Sequence, residues 1–187
     1  MDIQKYKTMK RIKEEYEYLE NNPLIILESD TYVSVGLVNK DDIFEWKVVL
    51  TGLKDTSYKD GVFYLRIKFS EDYPEQPPDV YFKTPIYHLN INPIKISMKG
   101  AGSLGHIYMN ILNCWKPENK IKEVLKQIND LLHSPDLDSP YGLERVEEFK
   151  YDRAIYEAKV EYFTKKYASR HNNTQLEYDT DWNFSFS

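Results

Sequence analysis

The sequence predicts an α+β domain whose helices are segregated to one end of an antiparallel sheet. Three observations carry this. Apolar groups recur at helical spacing near the start. Four short β-rich runs with brief turns come next. Helical periodicity then returns from Ile121 onward.

The first helix is expected over residues 2–21. Ile12, Tyr16 and Leu19 fall on one stripe with charges between them, and Asn21, Asn22 and Pro23 stop it. Strands are expected at Thr31–Val38, Ile43–Leu50, Val62–Phe69 and Asp79–Lys83. The Lys54–Gly61 turn separates the second from the third. The run Tyr73-Pro74-Glu75-Gln76-Pro77-Pro78 precedes the fourth, and its prolines bar helix or central strand. Residues 84–118 read as mostly irregular, and a loop of that length is usually functional or mobile. Ile121, Val124, Leu125, Ile128, Leu131 and Leu132 then form an apolar stripe, ended by Pro135 and Pro140. A further helix is expected from Tyr141 to Ala168, broken once near Phe149. The sequence divides into a domain over 1–169 and a polar, acidic tail over 170–187 that carries Glu177, Asp179 and Asp181 and an aromatic end, Trp182, Phe184 and Phe186.

At 187 residues the chain can bury a core without staples, and an aromatic content of 14% argues against disorder. The formal net charge of -5 disfavours general nucleic-acid binding, which needs a basic surface. The single cysteine, Cys114, rules out an internal disulfide, and the histidines and cysteine lack zinc-ligand spacing. No cofactor is implied. No apolar run is long enough to span a bilayer, and the start is charged from Asp2, unlike a secretory signal. A reducing cytoplasmic or nuclear setting is expected, with no membrane partner.

Seven segments together resemble the ubiquitin-conjugating enzyme family. Asp55-Thr56-Ser57-Tyr58-Lys59-Asp60-Gly61-Val62-Phe63 resembles its D-x-x-Y-x-G-G-x-F turn and strand, and residues 73–78 its Y-P-x-x-P-P loop. Tyr87-His88-Leu89-Asn90-Ile91 resembles its Y-H-P-N-I motif. Gly105-His106-Ile107-Tyr108-Met109-Asn110-Ile111-Leu112 is similar to G-x-[IV]-C-L-[DN]-I-L, and Trp115-Lys116-Pro117 to the W-x-P beyond it. Leu131-Leu132 with Pro135 and Pro140 resembles the family's L-L-x-x-P-x-x-x-x-P linker. Phe149-Lys150-Tyr151-Asp152-Arg153 and Lys165-Lys166-Tyr167-Ala168 fit the final helices. The likeness runs in order over roughly residues 5–170. It implies the family's UBC fold: an N-terminal helix, a four-stranded antiparallel meander, an active-site flap and C-terminal helices.

In that family a cysteine thiolate receives ubiquitin or a related modifier as a thioester, and a target lysine then attacks it. Sulfur suits both steps, because the thiolate is a strong nucleophile near neutral pH and a good leaving group. In this chain the matching position is Tyr108. A phenol titrates near pH 10, and its rigid ring carries the oxygen beyond where sulfur would sit. Tyr108 therefore reads as a space-filler in a retired site. The spacing from His88 to Tyr108 exceeds the family's, with the added stretch near Pro93–Leu104. A second register would place Ile96-Ser97-Met98 at the cysteine segment, at the cost of the Gly, Asn and Ile-Leu matches. Neither register supplies a thiol. Cys114 is the alternative nucleophile, because the Tyr108–Trp115 segment is one residue short. A natural cysteine replaced at position 108 is a further alternative.

The resemblance implies other roles. Asn90 matches the asparagine that donates to the oxyanion or braces the neighbouring loop. His88 reads as a structural, hydrogen-bonded residue. Leu89 replaces the motif's proline, so a looser turn is expected, and Ser139 stands where many members carry an acid. Lys10, Arg11 and Lys13 match the activating-enzyme face of the first helix. Glu75, Gln76, Glu118 and Asn119 fall in the ligase-binding loops, where carboxylates oppose a typical apolar ligase patch. Ser34 sits at the sheet-backside position. The expected function is non-catalytic: binding ubiquitin, a ubiquitin-like modifier or a catalytic conjugating enzyme, with an activating enzyme or ligase as further partners. A purely structural interaction module is the reading from another class.

Overall fold

The computed structural model describes residues 3–22, 25–26 (backbone only), 31–51, 53–92 and 105–169. Helix α1 spans Ile3–Asn21 and buries Thr8, Ile12, Glu15 and Leu19, with Tyr16 packed at the side of the stripe. Spacing of three and four residues puts these side chains on one face. The face is apolar except for the Thr8 hydroxyl and the Glu15 carboxylate, both of which need hydrogen-bond partners once buried.

The four expected strands are present as β2 (Thr31–Asn39), β3 (Asp42–Thr51), β4 (Val62–Lys68) and β5 (Asp79–Phe82). A two-residue strand, β1 (Ile25–Ile26), pairs ahead of them and completes an antiparallel meander in chain order. So short a strand leaves no periodic signal in sequence. Trp46, Val48 and Leu50 of β3 and Phe63, Leu65 and Ile67 of β4 point inward with almost no exposure. Trp46 meets Tyr16 and Phe69 with ring centroids 5.4 and 4.8 Å apart. Alternation then sends Ser34, Val49, Tyr64, Lys47, Arg66 and Tyr81 to the outer face.

The stretch expected to be irregular holds more order than its sequence suggests. Phe82 N–H donates to Gly105 O at 2.8 Å, and Tyr81 bridges His106, so residues 105–107 extend the sheet past β5. Ile91 bridges Ile107 on the far side. Asn92 and Gly105 are joined by Gly105 N–H to Asn92 O at 3.1 Å, while Asn92 N–H donates to His106 O at 2.9 Å. The added stretch near Pro93–Leu104, and with it the second register through Ile96–Met98, lies outside the described residues, as does the tail 170–187.

Gly105 is required where it stands. Its φ of +75° favours glycine, and a Cβ there would lie 2.1 Å from Phe82 O. A one-turn helix, α2 (Asn110–Asn113), comes next. Helix α3 (Ile121–His133) buries Ile121, Val124, Leu125, Ile128 and Leu132 of the expected stripe and leaves Leu131 half-buried at its edge. The last helical region breaks at Asp152 rather than Phe149, giving α4 (Leu143–Tyr151) and α5 (Arg153–Tyr167). Asp152 ends the first with φ −141° and caps the second by accepting from Ile155 N–H at 3.4 Å. No helix among the described residues is long and apolar enough to cross a membrane.

Candidate active site

The loop 87–92 packs under the sheet end, and its residues are nearly all buried. His88 has no exposure. One ring nitrogen, Nε2, lies 3.0 Å from Leu131 O, and Asn90 N–H donates to the other, Nδ1, at 3.0 Å. A carbonyl can only accept and an amide can only donate, so these partners require the neutral Nε2–H tautomer. Burial, with the nearby Arg145 charge, lowers the His88 pKa to about 4 despite the favourable Leu131 carbonyl. His88 is thus a fixed, neutral cross-link between this loop and α3.

Asn90 is equally committed. Its Nδ2 donates to Asp136 O at 2.6 Å and to Ser139 O at 3.0 Å, while Oδ1 accepts Asp136 N–H at 2.9 Å. Both amide hydrogens are spent on the 136–139 loop, the arrangement of a brace. Leu89 stands where the resemblance puts the motif's proline. It is fully buried, and its carbonyl accepts Tyr141 N–H at 2.8 Å. An apolar side chain substitutes for the ring of proline by packing rather than by backbone constraint.

Tyr108 stands beside this brace. Its N–H donates to Asn90 O at 2.9 Å, and the residue is 43% exposed. The ring meets Tyr141 edge-on, with centroids 6.3 Å apart and planes at 88°. Tyr141 OH lies 3.3 Å from His106 Nδ1. Burial and the neighbouring Tyr108 phenol raise the Tyr141 pKa. Tyr108 therefore occupies the mouth of the loop in an aromatic cluster with Tyr141 and His106.

Cys114 is exposed. It ends α2, where its N–H donates to Asn110 O at 2.8 Å. Among the described residues it shares no hydrogen bond with His88, Asn90 or Tyr108. The structure thus joins His88, Asn90, Tyr108 and Ser139 into one network, and no hydrogen bond among the described residues links Cys114 to it.

Residues without a sequence signal hold this network in place. Arg145 Nη1 donates to His88 O at 2.6 Å and Ile91 O at 3.2 Å, and its guanidinium lies 4.6 Å from the Tyr87 ring centroid. Tyr87 OH donates to Glu148 at 2.6 Å, which also pairs with Lys159. Although burial opposes it, Lys159 and the Tyr87 hydroxyl hold the Glu148 carboxyl below its ordinary pKa. An Arg in a charged helix reads as solvated; only the tertiary contact reveals it.

The basic face of α1 differs from its sequence appearance. Lys10 and Lys13 are exposed but lie 3.8 and 3.7 Å from Glu14 and Glu17. Arg11 turns inward, with Nε 2.5 Å from Glu15 Oε1 and Nη2 donating to Asn119 O at 2.9 Å. Glu15, only 8% exposed, also accepts Tyr73 OH at 2.6 Å and Ile121 N–H at 2.7 Å. Glu75, Gln76 and Glu118 are exposed, and Trp115 Nε1–H donates to Pro74 O at 2.7 Å, binding the two loops together. Ser34 faces outward, half-buried, opposite Val49.

A helix ahead of an antiparallel meander, a buried Tyr-His-x-Asn loop beneath it and a glycine-anchored segment beside that loop define the class of protein: a UBC-fold domain. The family model for ubiquitin-conjugating enzymes matches residues 11–164, and the chain belongs to that family. It is also similar to a solved structure assigned as a ubiquitin conjugating enzyme from Plasmodium yoelii, at 28% identity with a TM-score of 0.71. The match covers 87% of this chain and 96% of that one.

Proposed function

We propose that the protein acts in ubiquitin or ubiquitin-like modification without forming a thioester, by binding the modifier or a catalytic conjugating enzyme. The observation that carries this is Tyr108. The resemblance matches it to the family's thiol, its N–H donates to Asn90 O, and a phenol cannot replace a thiolate near neutral pH. Asn90 supports the reading, because both of its amide hydrogens are engaged with Asp136 and Ser139. Ser139 offers no carboxylate to an incoming lysine.

On this proposal the domain is 1–169 with 170–187 as a tail, and the setting is cytoplasmic or nuclear. Ser34 belongs to a modifier-binding sheet face. Lys10 and Lys13 are the cations available to an activating enzyme, while Arg11 is engaged internally. Glu75, Gln76 and Glu118 would meet a ligase, and the two carboxylates disfavour an apolar patch.

The second reading is an active enzyme that uses Cys114, favoured by the exposure of that thiol. The assay is incubation with activating enzyme, ATP and modifier, resolved without reductant. Absence of a reducible adduct is expected, together with a shift of amide resonances when the modifier or a conjugating enzyme is titrated. An adduct that vanishes in Cys114→Ala would establish the second reading and end the first. No adduct and no binding would leave only a structural interaction module.

A further inference from the structure

We propose that residues 170–187 dock on the outer face of this chain's own sheet, placing Glu177, Asp179 and Asp181 against Lys47, Arg66, Lys68 and Lys83. Helix α5 finishes at the sheet itself. Ala168 O accepts Val62 N–H at 2.8 Å, so the chain leaves the helix at the first residue of β4. The outward side chains of β4 are Val62, Tyr64, Arg66 and Lys68. The departing segment therefore starts at the border of that outer face.

That face has a charge opposite to the rest of the molecule. The chain carries a net charge of -5. Cross-strand register nevertheless sets Lys47 beside Arg66 and Arg66 beside Tyr81, with Lys68 one step along and Lys83 beyond Tyr81. The Lys47 stem lies along the surface, with its Cε 3.2 Å from where a Cβ on Gly36 would stand. Among the described residues, the face sets two carboxylates against these four cations. Glu45 lies 3.7 Å from Arg66 and 3.5 Å from Lys68, and Asp79 is paired across from Lys68. The crowding is felt at Lys83, whose pKa is lowered by burial and then by Arg66 and Lys68.

Length and charge both fit. Glu177 stands eight residues beyond Ser169, a contour of about 26 Å at ~3.3 Å per residue. The six steps from Val62 to Lys68 cover about 20 Å. Acidic residues at alternate positions 177, 179 and 181 share one side of an extended segment. A tethered partner also needs little intrinsic affinity, because a short flexible link gives an effective concentration of about a millimolar. Docking would cover the row Ser34–Val49–Tyr64, so the segment and any partner of that face would compete. This holds whether or not the protein carries a thioester.

The test uses the full chain with a nitroxide on Asn183→Cys in a Cys114→Ser background, read by amide signal loss. Several-fold loss at Lys47, Tyr64 and Arg66 is expected in low salt. The loss should disappear in Glu177→Gln/Asp179→Asn/Asp181→Asn, and in 1 M salt, where the screening length falls to about 3 Å. Three outcomes would overturn the proposal: loss confined to the end of α5, loss unaffected by the neutral triple variant, or equal loss when labelled chain is mixed with separate isotope-labelled chain. None of these variants alters a residue of the described core.

Discussion

The side chain of Asn90 and the backbone of Asp136 exchange two hydrogen bonds, Nδ2 to O at 2.6 Å and N–H to Oδ1 at 2.9 Å. This reciprocal pair ties the candidate site loop to the linker after α3. A separate bond, Tyr141 N–H to Leu89 O at 2.8 Å, ties the same loop to the start of the last helical region.

Asn90→Ala removes a brace and leaves Asp136 N–H with two carbonyls short of partners. A loss of about 3 kcal/mol is expected, since each unsatisfied buried group costs ~1–3 kcal/mol. Hydrogen exchange should speed up at residues 136–141 more than in β3 and β4. Uniform change across the sheet would contradict the brace.

His88 gives the fold a defined acid sensitivity. Its pKa in the folded state is about 4, below the ordinary 6.5. Between these values the unfolded chain binds the proton and the folded chain does not, so stability falls as pH drops through that window. The neutral ring's contribution is fully present above about pH 6.5. It shrinks by ~3 kcal/mol on approaching pH 4, at about 1.4 kcal/mol per pH unit. Urea titrations of the native chain and His88→Gln at pH 7, 5.5 and 4.5 should show a steeper loss in the native chain.

Glu15 collects Arg11, Tyr73 OH and Ile121 N–H in one nearly buried place. Glu15→Ala should cost about 3–5 kcal/mol, the range for breaking a buried ion pair. Tyr73→Phe loses one hydrogen bond to a charged acceptor and should cost about 1.5–3 kcal/mol. Denaturation midpoints with unchanged slopes would check both values. A Glu15→Ala change within about 0.5 kcal/mol of the native chain, the range of an ordinary surface substitution, would contradict this network.

Gly105→Ala should be severe, because a Cβ meets the Phe82 carbonyl oxygen at 2.1 Å and φ is +75°. The expected signs are a thermal midpoint lowered by many degrees and rapid amide exchange at Phe82 and Asn92. Gly142→Ala is the control, since nothing lies within 4 Å of its added methyl.

The fold was legible because its elements repeat. Ile12 and Leu19 mark a helix, Val48 and Leu65 mark alternating strands, and Val124 and Ile128 mark the helix after Trp115. The Tyr87–Ile91 and Gly105–Leu112 wording located the candidate site. What escaped was tertiary. Nothing about Arg145 in sequence says that it spans to His88 O, and Arg11 looks like part of a cationic face until Glu15 draws it inward. The strand Ile25–Ile26 and the helix Asn110–Asn113 are too short to show a period.

The hydrogen-bonded pair Asn92 and Gly105 works as a clasp on either side of residues 93–104. Because the clasp holds both ends, the length between them is nearly decoupled from the stability of the site. Doubling a closed loop costs only about 0.6 kcal/mol. Position 93–104 is therefore a natural port for grafting. A foreign peptide or small domain inserted there should leave the sheet and the His88–Asn90 brace intact.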